Sequence, residues 1–230
     1  MKRGKKYLQK IENIDLQKTF SPKEAIKLVK ELAYAEFDES LDLCFNLGID
    51  PRHADQQVRG TLSLPYGTGK KLKIVVITSP EKVADAKEAG ADEAGSEELV
   101  AKIAGGWFDF DLVIASPEMM PKIGKVGRLL GQKGLMPSPK NGTVTTDLVK
   151  TVQEFKKGKV EYRNDKSALV HMQIGKKSFE EDHLLENFNV VYDAVLKAKP
   201  SASKGVYFKS IVMSSSMGPG VHLEVVKDKW

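Results

Sequence analysis

The strongest constraint on the fold is a change of hydrophobic period partway along the chain. Leu41, Leu43, Phe45 and Leu47 alternate with Asp42, Cys44 and Asn46, the period-2 pattern of a strand covered on one face only. From Leu72 to Thr78 the apolar residues instead run almost without interruption, as in a strand buried on both faces. Residues 112–115 repeat that run. Helical stretches intervene, from Ser79-Pro80-Glu81 to Ala89, from Ser96 to Ala104, and from Ser116-Pro117-Glu118 onward. Buried strands alternating with helices predict a parallel sheet wrapped by crossover helices.

The flanking sequence has a different character. Ser21-Pro22-Lys23-Glu24 combines a capping hydroxyl, a proline tolerated in the first helical turn and the acid of a capping box, with Ile26, Val29, Leu32 and Ala33 recurring on one face. Val58 to Leu64 reads as a strand closed by the breakers of Pro65-Tyr66-Gly67-Thr68-Gly69. A short helix after Asp147 runs to about Lys156 and gives way to Lys156-Lys157-Gly158-Lys159. Val160 to Arg163 and Ala168 to Ile174 then predict a hairpin around Asn164-Asp165-Lys166-Ser167. An amphipathic helix from Phe179 to about Lys197 follows, with closing strands at Val206 to Met213 and Val221 to Val226.

These patterns predict a combination of α+β and α/β in two domains. The first is discontinuous, residues 1–67 with 159–230, and the second, residues 68–158, is inserted into it. The two junctions would lie side by side as a paired hinge.

Composition narrows the function. Lys and Arg total 36 against 31 acids, a net charge of +5. Lys2, Arg3, Lys5, Lys6 and Lys10, with no acid among the first ten residues, account for all of that excess. Acid-free stretches carry Lys122, Lys125, Arg128, Lys133 and Lys140, and farther on Lys197, Lys199, Lys204 and Lys209. Such segregation suits a polyanion binder and equally suits ordinary solvated faces. No window approaches the roughly 18 uninterrupted apolar residues of a membrane helix, and the lysine-rich start leads into polar sequence. A single cysteine, Cys44, allows no internal disulfide and fits a reducing compartment. The expectation is a cytoplasmic protein without membrane contact.

The catalytic vocabulary is thin. Gly67-Thr68-Gly69-Lys70-Lys71 resembles the end of a phosphate loop, but Leu64 stands where its first glycine belongs and a strand follows instead of a helix. The Gly-x-x-Gly pairs at 124–127 and 131–134 are too common to be specific. His53, His171, His183 and His222 are scattered without metal-ligand spacing, and Asp109 and Asp111 lack a partner acid. No catalytic residue, metal site or cofactor is expected.

Ser214-Ser215-Ser216-Met217-Gly218-Pro219-Gly220 joins two predicted strands with hydroxyls, amides and little bulk. Folded RNA is read largely through shape, phosphates and 2′-hydroxyls, which such groups suit. A plain hairpin loop explains the segment equally well. Phe37 could stack on a nucleotide or belong to the core.

Four ordered signatures together resemble the large-subunit ribosomal protein L-one family across essentially the whole chain. They are Leu47-Gly48-Ile49-Asp50-Pro51-Arg52 with Asp55-Gln56-Gln57-Val58-Arg59-Gly60, the stretch from Gly134 to Thr145, Tyr162-Arg163-Asn164-Asp165-Lys166, and Ser216-Met217-Gly218-Pro219. The resemblance implies a split β-α-β first domain and an inserted Rossmann-like, three-layer α/β second domain. It implies binding to the mobile stalk of large-subunit (23S) rRNA, help to deacylated tRNA leaving the exit site, repression of the protein's own mRNA, and a monomer when free of the ribosome. The RNA-facing residues it implies are Phe37, Ser40, Asp165, Lys166, Ser167, His171, Ser210, Ser216, Met217 and Gly218. Many relatives carry Thr at the positions of Ser40 and Ser216, so the hydroxyls are kept. Glu36 stands where many carry Lys, and puts a negative charge where phosphate would approach.

Overall fold

A computed structural model describes residues 4–12, 14–15 and 18–225. The expected strand end at Val226 and the basic Lys2 and Arg3 lie outside the described residues. The chain falls into two compact units, Met1–Gly69 with Glu161–Trp230, and Lys70–Val160. The content is mixed α and β, with several sheets.

In the first unit, a short helix α1 (Lys5–Ile11) precedes β1 (Thr19–Phe20), α2 (Pro22–Leu32), β2 (Ser40–Leu47) and β3 (Arg59–Ser63). The capping box at the start of α2 is present: Ser21 N donates to Glu24 Oε2 and Glu24 N to Ser21 Oγ. The second unit holds β4 (Ile74–Ile77), α3 (Val83–Glu88), β5 (Glu93–Gly95), α4 (Glu97–Ala104), β6 (Leu112–Ala115), α5 (Met120–Ile123), α6 (Gly127–Gln132) and α7 (Leu148–Lys156). The first unit resumes within β7 (Lys159–Arg163) and continues through β8 (Leu169–Lys176), α8 (Glu181–Lys197), β9 (Phe208–Ser215) and β10 (Gly220–Leu223).

Five strands of the first unit form one sheet in the order β1-β10-β9-β2-β8. Its pairs are antiparallel except β1 with β10. Alternation puts Leu41, Leu43, Phe45 and Leu47 of β2 on the buried face. There Ala25, Ile26, Val29 and Leu32 of α2 and Leu184, Phe188, Val191 and Val195 of α8 complete the core.

β4 is the middle strand of a parallel sheet in the order β5-β4-β6. Its continuous apolar run serves two cores. Val75 and Ile77 pack with Leu99 and Ile103 of α4, Ile123 of α5 and Leu130 of α6. Ile74 and Val76 pack with Ala86 of α3 and Leu148, Val152 and Phe155 of α7. Asp109 and Asp111 serve this unit's structure. Lys73 Nζ donates to Asp109 Oδ1 at 2.8 Å, Asp111 Oδ2 accepts from Lys73 N at 3.1 Å, and Lys70 pairs with Asp111.

The hairpin predicted between residues 160–163 and 168–174 does not form. β7 pairs with β3 in a separate two-stranded sheet, and only the residue after it, Asn164, makes an isolated bridge to Val170 of β8. The cause is Asn164, a buried residue that grips Val58 on both sides. Its Oδ1 accepts from Val58 N at 2.8 Å and its own N donates to Val58 O at 3.0 Å. The Gly-x-x-Gly segment at 124–127 lies within successive helical turns and makes no loop.

Candidate nucleic-acid interface

With α2 and α8 on one face of the five-stranded sheet, alternation turns the other set of side chains outward. Along β2 these are Ser40, Asp42, Cys44 and Asn46. Register adds Gln173 beside Asp42 and His171 beside Cys44 from β8, and Ser214, Val212 and Ser210 from β9. Every one stays half-buried or exposed. The six-residue step from Ser40 to Asn46 spans about 20 Å, and with Asp42 and His171 as the ionisable groups besides Cys44 among these residues the face is a nearly neutral polar platform.

Two loops meet at its Ser40 end. Ser216 Oγ accepts from Ser40 N at 3.0 Å and Ser216 N donates to Ser40 O at 3.1 Å, which fixes the β9–β10 loop against the start of β2. Beneath them lies Glu39, fully buried, whose carboxylate accepts from Ala35 N at 2.7 Å and Met217 N at 3.0 Å. Burial alone pushes this carboxyl up. The hydrogen bonds from Ser215, Ala35 and Met217, with nearby Lys177, hold it below its ordinary value. Gly218 N donates to Ser215 Oγ at 3.1 Å, and a Cβ on Gly218 would collide with that same oxygen. The framework leaves two large apolar side chains in the open, Phe37 at 55% and Met217 at 51% exposure. Phe37 is therefore not a core residue.

At the Asn46 end sits the turn from Asp165 to Ser167. Asp165 Oδ1 accepts from Ser167 N at 2.7 Å and Leu169 N at 2.8 Å, holding Ala168 at φ 61°, a left-handed conformation that costs a non-glycine residue roughly 1–2 kcal/mol. One oxygen of Asp165 is thus spent on shaping the turn, while Lys166 and Ser167 stay exposed. His171 Nε2 lies 4.0 Å from Asp165 Oδ2, and Ser210 is paired with Asn46.

The structure therefore gathers Phe37, Ser40, Ser216, Met217 and Gly218 at one end. It places Asp165, Lys166, Ser167, His171 and Ser210 toward the other, all on or beside one sheet face. Sequence reasoning missed Glu39, Asp42 and Gln173, and reached Ser214 only as part of the Ser214 to Gly220 segment. The alternation of β2 could have nominated Asp42, but nothing local distinguishes Glu39 from its exposed acidic neighbours. Asp42 is pushed up by burial, against the pull of His171. Burial and the neighbouring Asp165 also raise Cys44, which keeps its thiol protonated and a poor nucleophile.

Chemically, such a face offers hydroxyls, carboxamides, backbone groups and two exposed apolar side chains. No cluster of three or more His, Cys, Asp or Glu among the described residues could hold a metal ion. Among them, too, no helix is long and apolar enough to cross a membrane.

Residues 29–219, well over half of the chain, match the ribosomal protein L1p/L10e family. The chain belongs to that family. Membership makes it a structural ribosomal protein that binds rRNA, ribosome-associated in the cytoplasm, and not an enzyme. The matched span contains the whole of β2, the Asp165–Ser167 turn and the Ser216–Gly218 loop.

Proposed function

We propose that the open face of the five-stranded sheet grips the stalk of large-subunit rRNA, with Phe37, Ser40, Ser216, Met217 and Gly218 at one end of the contact and Lys166, Ser167, His171 and Ser210 at the other. The observation that supports this reading best is the Glu39-centred framework. It exposes Phe37 and Met217 while fixing the backbone around them, as a surface matched to the shape of folded RNA requires. Asp165 takes part by shaping its turn.

In this reading the units are the two domains, a split β-α-β RNA-binding domain and an inserted Rossmann-like one, joined by a paired hinge at residues 67–71 and 156–159. The inserted domain offers Lys125, Arg128 and Lys140, all exposed, as contacts for deacylated tRNA leaving the exit site. Lys122 is paired with Glu97 at 2.6 Å and Lys133 lies over the Phe108 ring, so they contribute less. The protein is a monomer when free, and the same face recognises an mRNA structure mimicking the stalk and so represses its own translation.

Met217→Asp tests the reading directly. It leaves the core untouched and sets a carboxylate against phosphate-rich RNA, so affinity for a stalk transcript should fall by several kcal/mol. Wild-type affinity in the folded variant, measured by filter binding, would move the contact elsewhere.

A further inference from the structure

We infer that a cleft beside the Asp165–Ser167 turn is a nucleotide socket, in which one phosphodiester of the bound RNA sits between Arg163 and Lys166 and the adjoining base is read by the Gln57 carboxamide. The inference rests on the RNA-binding reading above and deepens it by naming a subsite.

The cleft is lined by Pro51, Gln57, Arg163, Asn164, Asp165 and Lys166, with a volume of about 470 Å³, within the range of small-ligand sites. Its polar groups divide into two sets. Asn164 is consumed internally, its Oδ1 by Val58 N and its Nδ2 by Asp165 O. Asp165 Oδ1 is consumed by its turn. These two make a fixed wall.

Gln57, Arg163 and Lys166 are exposed. The acid that shares Arg163's face of β7, Glu161, is already taken by Arg59, whose Nη2 lies 3.2 Å from Glu161 Oε1. That leaves the Arg163 guanidinium available. Two cations against one partly satisfied carboxylate favour an anion, and a guanidinium fork suits a phosphate geometrically. A carboxamide beside them presents both a donor and an acceptor, which a base edge can use and a bare anion cannot. Asp165 and Lys166 belong both to this cleft and to the proposed RNA face, so the cleft adjoins that face.

The test uses the full chain and a stalk transcript, with dissociation constants measured across a salt series for the wild type, Arg163→Gln, Gln57→Leu and Met217→Asp. Arg163→Gln is expected to make the slope of log affinity against log salt shallower by roughly 0.7–0.9 and to weaken binding at low salt about fivefold or more. Gln57→Leu is expected to weaken binding about tenfold while leaving that slope unchanged. Both side chains are exposed, and melting curves check that the fold is intact. Wild-type affinity and slope in these two variants, alongside a large loss for Met217→Asp, would overturn the socket and leave the open-face reading standing. No loss for Met217→Asp would overturn both.

Discussion

A carboxylate shut away from water persists as an anion only when donors surround it, and at Glu39 the donors come from two different loops. The charge therefore belongs to the architecture of the surface above it. Glu39→Gln sets an amide group against those donors, and stability should drop by about 1–3 kcal/mol, read from urea denaturation, with weaker binding of a stalk transcript. The pH dependence has a definite sign. Because the folded carboxyl lies below its ordinary 4.5, its stabilisation is complete above that value and is lost as pH falls through the folded pKa. Acid titration of the wild type should show that loss, and Glu39→Gln should lack this component. Asp42 behaves oppositely. Burial raises its carboxyl, so ionisation opposes folding as pH rises past the unfolded value, and it also sets a negative charge in the middle of the proposed RNA face. Asp42→Asn should be more stable at neutral pH by thermal melting and bind RNA more tightly, and a weaker complex would show instead that the carboxylate accepts hydrogen bonds from the RNA.

At the scale of elements, Asn164 decides the course of β7. Asn164→Leu removes the acceptor for Val58 N and should cost about 2 kcal/mol, with loss of amide protection along β3 and β7 measured by hydrogen exchange. The same residue explains what can be read from the sequence. The alternation of β2, the capping box of α2 and the apolar runs of β4 and β6 are local signals, and the structure carries each where the pattern puts it. The pairing of β7 is decided by a contact more than a hundred residues away in sequence, which no local pattern records, so two strands adjacent in sequence look like a hairpin. β5, Glu93-Ala94-Gly95, has no apolar run and exists as a strand through its pairing with β4. The loop at Ser216 to Gly218 is legible as small and hydroxylated. What fixes it, the buried Glu39, looks in sequence like any acid of the Glu36 to Glu39 stretch.

At the scale of the molecule, each unit has sheet structure and an apolar interior of its own. Residues 70–160 expressed alone should therefore melt cooperatively, followed by circular dichroism, and should not retain the stalk transcript. A fragment that stays unfolded would show that the rest of the chain is needed to hold its three short parallel strands together. The near-neutral platform has a consequence for behaviour in a cell crowded with nucleic acid. Attraction to a random transcript grows with the number of phosphates that cations can neutralise, and most of the platform's outward groups, serines, carboxamides, a thiol and a valine, neutralise none. In the proposed reading, such a face adds little to the pull on a random transcript, and what it contributes is discrimination by contour.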